Sequence, residues 1–330
     1  VQIRASTALT NWAAFLAGAA SVLAYAPFEL SPLAPILLAC LWLLWEAATP
    51  RRAAWLGFWF GFGLFTAGTW WLYISLNILG GLWPPLAVLM MLCLTALMGV
   101  FIAAKGWLTV TLAPGAGPLR LLVIAPAVWT GIEWLRGWIL TGFPWLSIGY
   151  SQPESWFGAL APVGGVYAVT WACGLCAGLL VMLVRGSLRQ RCSAPVLLVA
   201  GLGGLWLLDQ QTWTQPAGAD LKVTLVQGAI PQDRKWKADQ LQPTLDLYSG
   251  LTLEQTDRDL VIWPEAAVTA LPFEVRDFLV ELHDELVERD TQLFTGILTF
   301  DVEQGEYLNT LWAIGAEEGQ YYKRHLVPFG

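Results

Sequence analysis

Apolar positions run in long blocks along the first two thirds of the chain, then give way to short blocks set among charges. Seven stretches are nearly continuous in apolar residues, at roughly 8–26, 32–48, 54–76, 84–112, 119–138, 160–184 and 194–211. Each approaches the ~20 residues that a helix needs to cross a hydrocarbon core. The breaks carry turn chemistry: Pro27, Pro32, Pro50, Gly80-Gly81, Pro84-Pro85 and APGAGP at 113–118. The pattern predicts a multi-span helical membrane domain over 1–212 with about seven helices. The first stretch has the alternative of a signal peptide, since Arg4 precedes it and Ala24-Tyr25-Ala26 resembles a cleavage site. A second span following almost at once favours the membrane helix.

From 213 to 330 the blocks shorten to strand and helix length. LKVTLVQ (221–227) reads as a strand, about 238–256 as a helix, and 259–263 as a second strand. FEVRDFLVELHDELVER (273–289) places Phe278, Leu279, Leu282 and Leu286 at helical spacing among charges. Strands follow near 292–299, 307–314 and 319–325, so this part reads as an α/β domain. The stretch DLVIWPEAAV (259–268) is its most pointed feature. Pro264 ends the ladder, and Glu265 then stands at the strand's C-terminal edge, where open α/β sheets build their clefts. From the residues alone, Glu265 either caps the following segment or does chemistry.

Charge sharpens the division. Residues 1–212 hold nine Lys/Arg and five Asp/Glu, about +4 net, and residues 213–330 hold nine and twenty, about −11 net. The acidic second part argues against nucleic acid as a partner. With the N-terminus inside, the inner segments carry Arg4, Arg51, Arg52, Lys105, Arg120, Arg185, Arg189 and Arg191, and the outer ones only Arg136. That bias predicts a cytoplasmic N-terminus and residues from 213 onward outside. It also leaves no charge in mid-span, and no inverted repeat is visible, so a transporter with an accessory domain is disfavoured. Seventeen of the twenty Trp precede residue 214, many near span ends, as interfacial anchors do. Cys40, Cys93, Cys173 and Cys176 fall in spans and Cys192 on an inner loop. Cys173-x-x-Cys176 has redox or metal spacing, but with no His near it reads as helix packing.

In the membrane part, Glu133 and Arg136 are spaced i, i+3 near the outer interface, either as a functional pair or as snorkelling anchors. The outer loop TGFPWLSIGYSQ (141–152) is aromatic, and Trp145 and Tyr150 are candidates for a lipid-facing mouth. Trp236, in the loop after the first strand, either lines an acyl-chain entrance or packs plainly. His283 reads as a surface residue of the amphipathic helix.

Several stretches together carry a resemblance: APFELSP (26–32), GFGLFTAGTWWLYIS (61–75), EWLRGWILTGFPWLSIGYSQ (133–152), VQGAIPQDRKW (226–236), VIWPEAAV (261–268), TGI (295–297) and KRHLVPFG (323–330). Their order, spans before an α/β domain, resembles the apolipoprotein N-acyltransferase family of the nitrilase superfamily. The resemblance implies an αββα nitrilase-like domain inserted before one last span. Half of that domain and an eighth helix are then expected beyond residue 330. It implies a Glu-Lys-Cys triad, with Glu265 and Lys323 at the first two positions and the Cys beyond this chain. It implies a phospholipid acyl donor, a diacylglyceryl-cysteine lipoprotein acceptor, no cofactor or metal, and a bacterial inner membrane with the catalytic domain periplasmic. In that chemistry a thiol near pKa 8.5 needs a base, which Glu265 suits if burial raises its pKa, and Lys323 stabilises an oxyanion. His325 then orders the loop. Lys237 stands where the family leads one to expect an acidic residue. A membrane-tethered amidase with the same triad is the rival enzyme, disfavoured because a soluble amide needs no set of spans.

Overall fold

The computed structural model describes residues 7–326. The chain divides into two compact units, Val1–Gln215 and Pro216–Gly330.

In the first unit the apolar blocks become helices: α1 (Thr7–Ala20), α2 (Leu33–Trp45), α3 (Pro50–Gly68), α4 (Trp71–Ile74), α5 (Pro84–Leu112), α6 (Ala125–Arg136), α7 (Ala161–Arg185) and α8 (Leu188–Asp209). Pro50 opens α3 behind Thr49, whose hydroxyl accepts from the Arg52 amide, and Ser187 caps α8 in the same way through Gln190. Four helical segments are long and apolar enough to cross a membrane: Thr7–Ala24, Pro84–Leu112, Trp156–Arg185 and Leu188–Asp209. Pro50–Gly68 with Trp71–Leu79 makes a fifth if the pair, bent by 53°, counts as one.

The expectation of seven spans near 20 residues is therefore corrected in two places. Helix α2 has 13 residues, about 20 Å at 1.5 Å per residue against a core of about 30 Å. Pro32 delays its start, and Glu46 and Pro50 curtail its end. The stretch 119–138 is helical over 120–136, holds Arg120, Glu133 and Arg136, and ends in a 3₁₀ turn with left-handed Leu140. The chain nonetheless reverses along both. Arg52 of α3 donates to Asn11 Oδ1 at 2.7 Å, placing the starts of α1 and α3 at one end of the bundle. Arg120 reaches Trp45 O and Glu46 O at 3.2 Å and Ala113 O at 2.6 Å, so the C-terminal ends of α2 and α5 meet. Those are the carbonyls that a helix leaves without partners, and a buried cation answers them.

Helices α1 and α3 approach until backbone touches backbone. A Cβ on Gly18 would lie 1.9 Å from Phe60 O, and one on Gly63 would lie 2.1 Å from Phe15 O. Where lipid is as apolar as Leu, such small-residue seams supply the packing that hydrophobicity does not.

The second unit is a five-stranded sheet: β1 (Val223–Leu225), β2 (Leu260–Ile262), β3 (Gln292–Asp301), β4 (Glu306–Ile314) and β5 (Gly319–Tyr322), in that spatial order. Strands β1, β2 and β3 run parallel, and β3, β4 and β5 run antiparallel. Helix α9 (Leu241–Leu253) links β1 to β2, and α10 (Arg276–Glu288) links β2 to β3. These are the elements that the short blocks predict. The apolar face of α10 buries Leu282 and Leu286, in one cluster with Leu245, Val261, Leu293, Ile297 and Ile314. His283 lies at the flank of that face, half-buried, 3.2 Å from Asp284 Oδ1 and 3.9 Å from Glu318 Oε1. Trp263, 2% exposed, stacks on Tyr248 at 5.0 Å and donates to Thr252 Oγ1 at 2.8 Å. It pins the end of β2 to α9.

Candidate active site

The end of β2 turns sharply. Trp263 donates its amide to Phe294 O, Val268 donates to Gly296 O, and Ala266 between them is left-handed at φ 47°. This folds residues 264–266 down onto β3 at Gly296. A Cβ there would stand 2.5 Å from Ala266 N, 2.6 Å from Pro264 O and 2.7 Å from Glu265 Cα. The Gly of TGI is thus the residue that lets the Pro-Glu turn close. In Gly296→Ala we expect a folded domain weakened by about 1–3 kcal/mol, with the carboxylate displaced and a larger loss of turnover than of stability. Unfolding temperature measured beside reaction rate checks this.

On that turn Glu265 Oε1 accepts from Lys323 Nζ at 2.9 Å and from Asn309 Nδ2 at 2.5 Å. Lys323 follows β5, and its amide donates to Asn309 O at 2.9 Å. Lys235 Nζ donates to Glu265 O at 3.1 Å, tying down the loop that carries Trp236. Residues 58 apart in sequence thus form one cluster at the edge of the sheet where β2 and β5 both end. The bond from Lys323 holds the Glu265 carboxyl below the usual carboxylate range, and Asn309 adds to this. The side chain is 62% exposed. The expectation that burial raises its pKa is therefore corrected: the ion pair outweighs desolvation, and Glu265 is ionised at neutral pH. The carboxylate's contacts are thus with side chains, both made through Oε1. Trp236, Lys237 and His325 are exposed, and residues 327–330 of KRHLVPFG lie outside the described residues.

The polar residues of the first unit make a separate cluster, and here the sequence reading needs correction. Glu133 and Arg136 do not pair with each other. Glu133, 2% exposed, takes Lys105 Nζ at 3.4 Å, Trp129 Nε1 at 3.0 Å, Thr170 Oγ1 at 3.0 Å and the Ile148 amide at 3.3 Å. Lys105 is no inner-loop residue. It is fully buried in α5, with its ammonium 3.8 Å from the centroid of the Trp129 ring. Charge does lie inside the bundle, because a carboxylate, an indole face and a hydroxyl are assembled to receive it. Arg136 serves the loop 141–152 instead, donating to Phe143 O, Trp145 O and Ser147 Oγ at 2.6–2.8 Å. Tyr25 Oη adds a bond to Leu146 O at 2.8 Å. So anchored, the loop presents Trp145 (48% exposed, stacked on Phe143 at 5.4 Å) and Tyr150 (55% exposed).

Long apolar helices in one unit, and a lysine-paired carboxylate at the edge of an α/β sheet in the other, define a membrane-type protein with an enzyme-like domain. Comparison with known proteins narrows this. The domain described as the apolipoprotein N-acyltransferase N-terminal domain matches residues 17–179. The chain is 40% identical over 327 residues to an apolipoprotein N-acyltransferase of Pseudomonas putida, covering 97% of this chain and 64% of the relative. Relatives of the same name from Methylococcus capsulatus (38% over 308 residues; 93% and 61%) and Azotobacter vinelandii (42% over 327; 97% and 63%) agree. By sequence this chain is a relative of the apolipoprotein N-acyltransferases along nearly its whole length. It spans about 61–64% of the length of these curated relatives.

Proposed function

We propose that the protein transfers an acyl chain from a membrane phospholipid to the N-terminal α-amino group of a diacylglyceryl-cysteine lipoprotein, through a thioester. The observation that carries this reading is the Lys323–Glu265 contact at the strand edge, in a chain with this kinship. None of the five cysteines lies after residue 212. The nucleophile is therefore assigned to the third of the relatives' length that this chain does not span, together with the rest of a nitrilase-like αββα domain.

In the first step Glu265 takes the thiol proton and the thiolate attacks the ester carbonyl. The tetrahedral oxyanion forms beside the Lys323 ammonium. The carbon–oxygen bond to glycerol then breaks, and the proton on Glu265 passes to the leaving oxygen, giving lysophospholipid and thioester. In the second step the lipoprotein's amine attacks the thioester, Glu265 takes its proton, the carbon–sulfur bond breaks and the proton passes to the departing sulfur, giving the amide and restoring the thiol and the carboxylate. No cofactor enters this scheme.

The reading places the N-terminus in the cytoplasm and the second unit in the periplasm of a bacterial inner membrane. Lys105, Arg120 and Arg136 are buried, so the charge bias rests on Arg4, Arg51, Arg52, Arg185, Arg189 and Arg191. The test is to incubate the whole protein with phospholipid bearing a labelled acyl chain, without acceptor. Lysophospholipid release with a matching gain in protein mass is expected. Ammonia release from a small amide, with no lysophospholipid, would favour the amidase instead.

A further inference from the structure

Lys323 and Asn309 both donate to the same carboxylate oxygen of Glu265, Oε1. Asn309 belongs to the predicted strand 307–314 and to none of the motifs of the sequence. It lies on β4 opposite Leu298 of β3, next to fully buried Thr310, so its place is set by the sheet and not by a loop. It grips the pair twice. Its side chain holds the carboxylate, and its main-chain oxygen holds the Lys323 amide where β5 ends. With two donors on Oε1, the lone pairs of Oε2 are the ones available to a proton.

We infer that Asn309 is a positioning residue for acyl transfer: it fixes the Glu265 carboxylate so that Oε2 takes the thiol proton while Oε1 stays bound to Lys323. The inference rests on the reading of Glu265 as general base. An amide suits the task. A lysine or arginine there would compete with Lys323 for the carboxylate, and an aspartate would repel it. The amide also favours the ionised carboxylate over the protonated one. Glu265 is thereby returned to its basic form each time its proton passes to the leaving oxygen.

The experiment follows thioester formation in the whole protein across pH, for Asn309→Ala, Asn309→Asp and Glu265→Gln. A rate that requires ionised Glu265 falls as pH drops through its pKa. Removing the Asn309 bond raises that pKa, so the acid limb of the profile should move to higher pH. In Asn309→Ala the neutral-pH rate should also drop on the order of 10-fold, the scale of one hydrogen bond to a charged group. Asn309→Asp keeps the side chain's shape and should move the limb further, because two carboxylates then share the site. A purely structural asparagine would change unfolding temperature and leave the limb in place. Unmoved limbs with a slow Glu265→Gln overturn the role of Asn309 alone. A Glu265→Gln protein with wild-type rate removes the general-base reading itself. Should one Asn309 variant not fold, the limb of the other decides.

Discussion

Glu265→Gln should leave a normally folded protein that fails to accumulate the acyl-enzyme. Glutamine keeps the length and shape of the side chain, and its carbonyl can still accept from Lys323 Nζ and Asn309 Nδ2. A carboxylate that only braces the Pro-Glu turn would tolerate the exchange. A general base does not, because an amide cannot take a thiol's proton near neutral pH. The expected loss is on the order of 10²-fold or more in thioester formation, the usual scale for removing a general base. The measurement is protein mass over time with labelled phospholipid and no acceptor, alongside the unfolding temperature. Thioester forming at the wild-type rate would reduce Glu265 to a structural residue.

Lys323→Met should slow the same step by about 10²–10³-fold, the scale of losing one oxyanion donor, while phospholipid binding changes little. The charge acts on an oxyanion that exists only near the transition state, so the loss belongs in turnover and not in ground-state affinity. A second effect has a definite sign. Lys323 is the main cause of the lowered Glu265 pKa. Without it the carboxyl rises toward the ordinary range, and residual activity is lost at a higher pH on acidification. A methionine variant with near-normal turnover would take Lys323 out of the chemistry. One with a slow rate but an unmoved acid limb would separate the oxyanion role from the pairing with Glu265.

The second unit was legible in the sequence because its elements announce themselves locally. Short apolar runs mark the strands, helical spacing marks α10, and the apolar run 260–263 that stops at Pro264 marks a strand edge with a carboxylate. Lys323 came from a resemblance, since a lone lysine after a strand carries no signal. Asn309, Lys235 and Gly296 were not legible. Each matters through a contact made by sheet register or loop return, 30 to 44 residues away in the case of Lys235 and Asn309. In the first unit, hydropathy located the blocks but not their completeness as spans: the block 32–48 is bounded by Pro32 and Pro50, and the helix inside it has only 13 residues. Charge counting misplaced Lys105 for a related reason. A lysine near the end of an apolar block looks like an inner-loop residue until the fold supplies a partner, and Glu133 stands 28 residues later.

That separation governs how the bundle is made. A ribosome adding roughly 5–20 residues per second delivers Lys105 about one to six seconds before Glu133. During that interval the ammonium, in the last third of α5, has no carboxylate to meet. Helix α5 is therefore complete before the carboxylate that pairs with its one lysine exists. Thr170 of α7, which also donates to Glu133, is made later still, so the cluster around the buried lysine gathers its members in chain order, and the last of them ties α7 to α6.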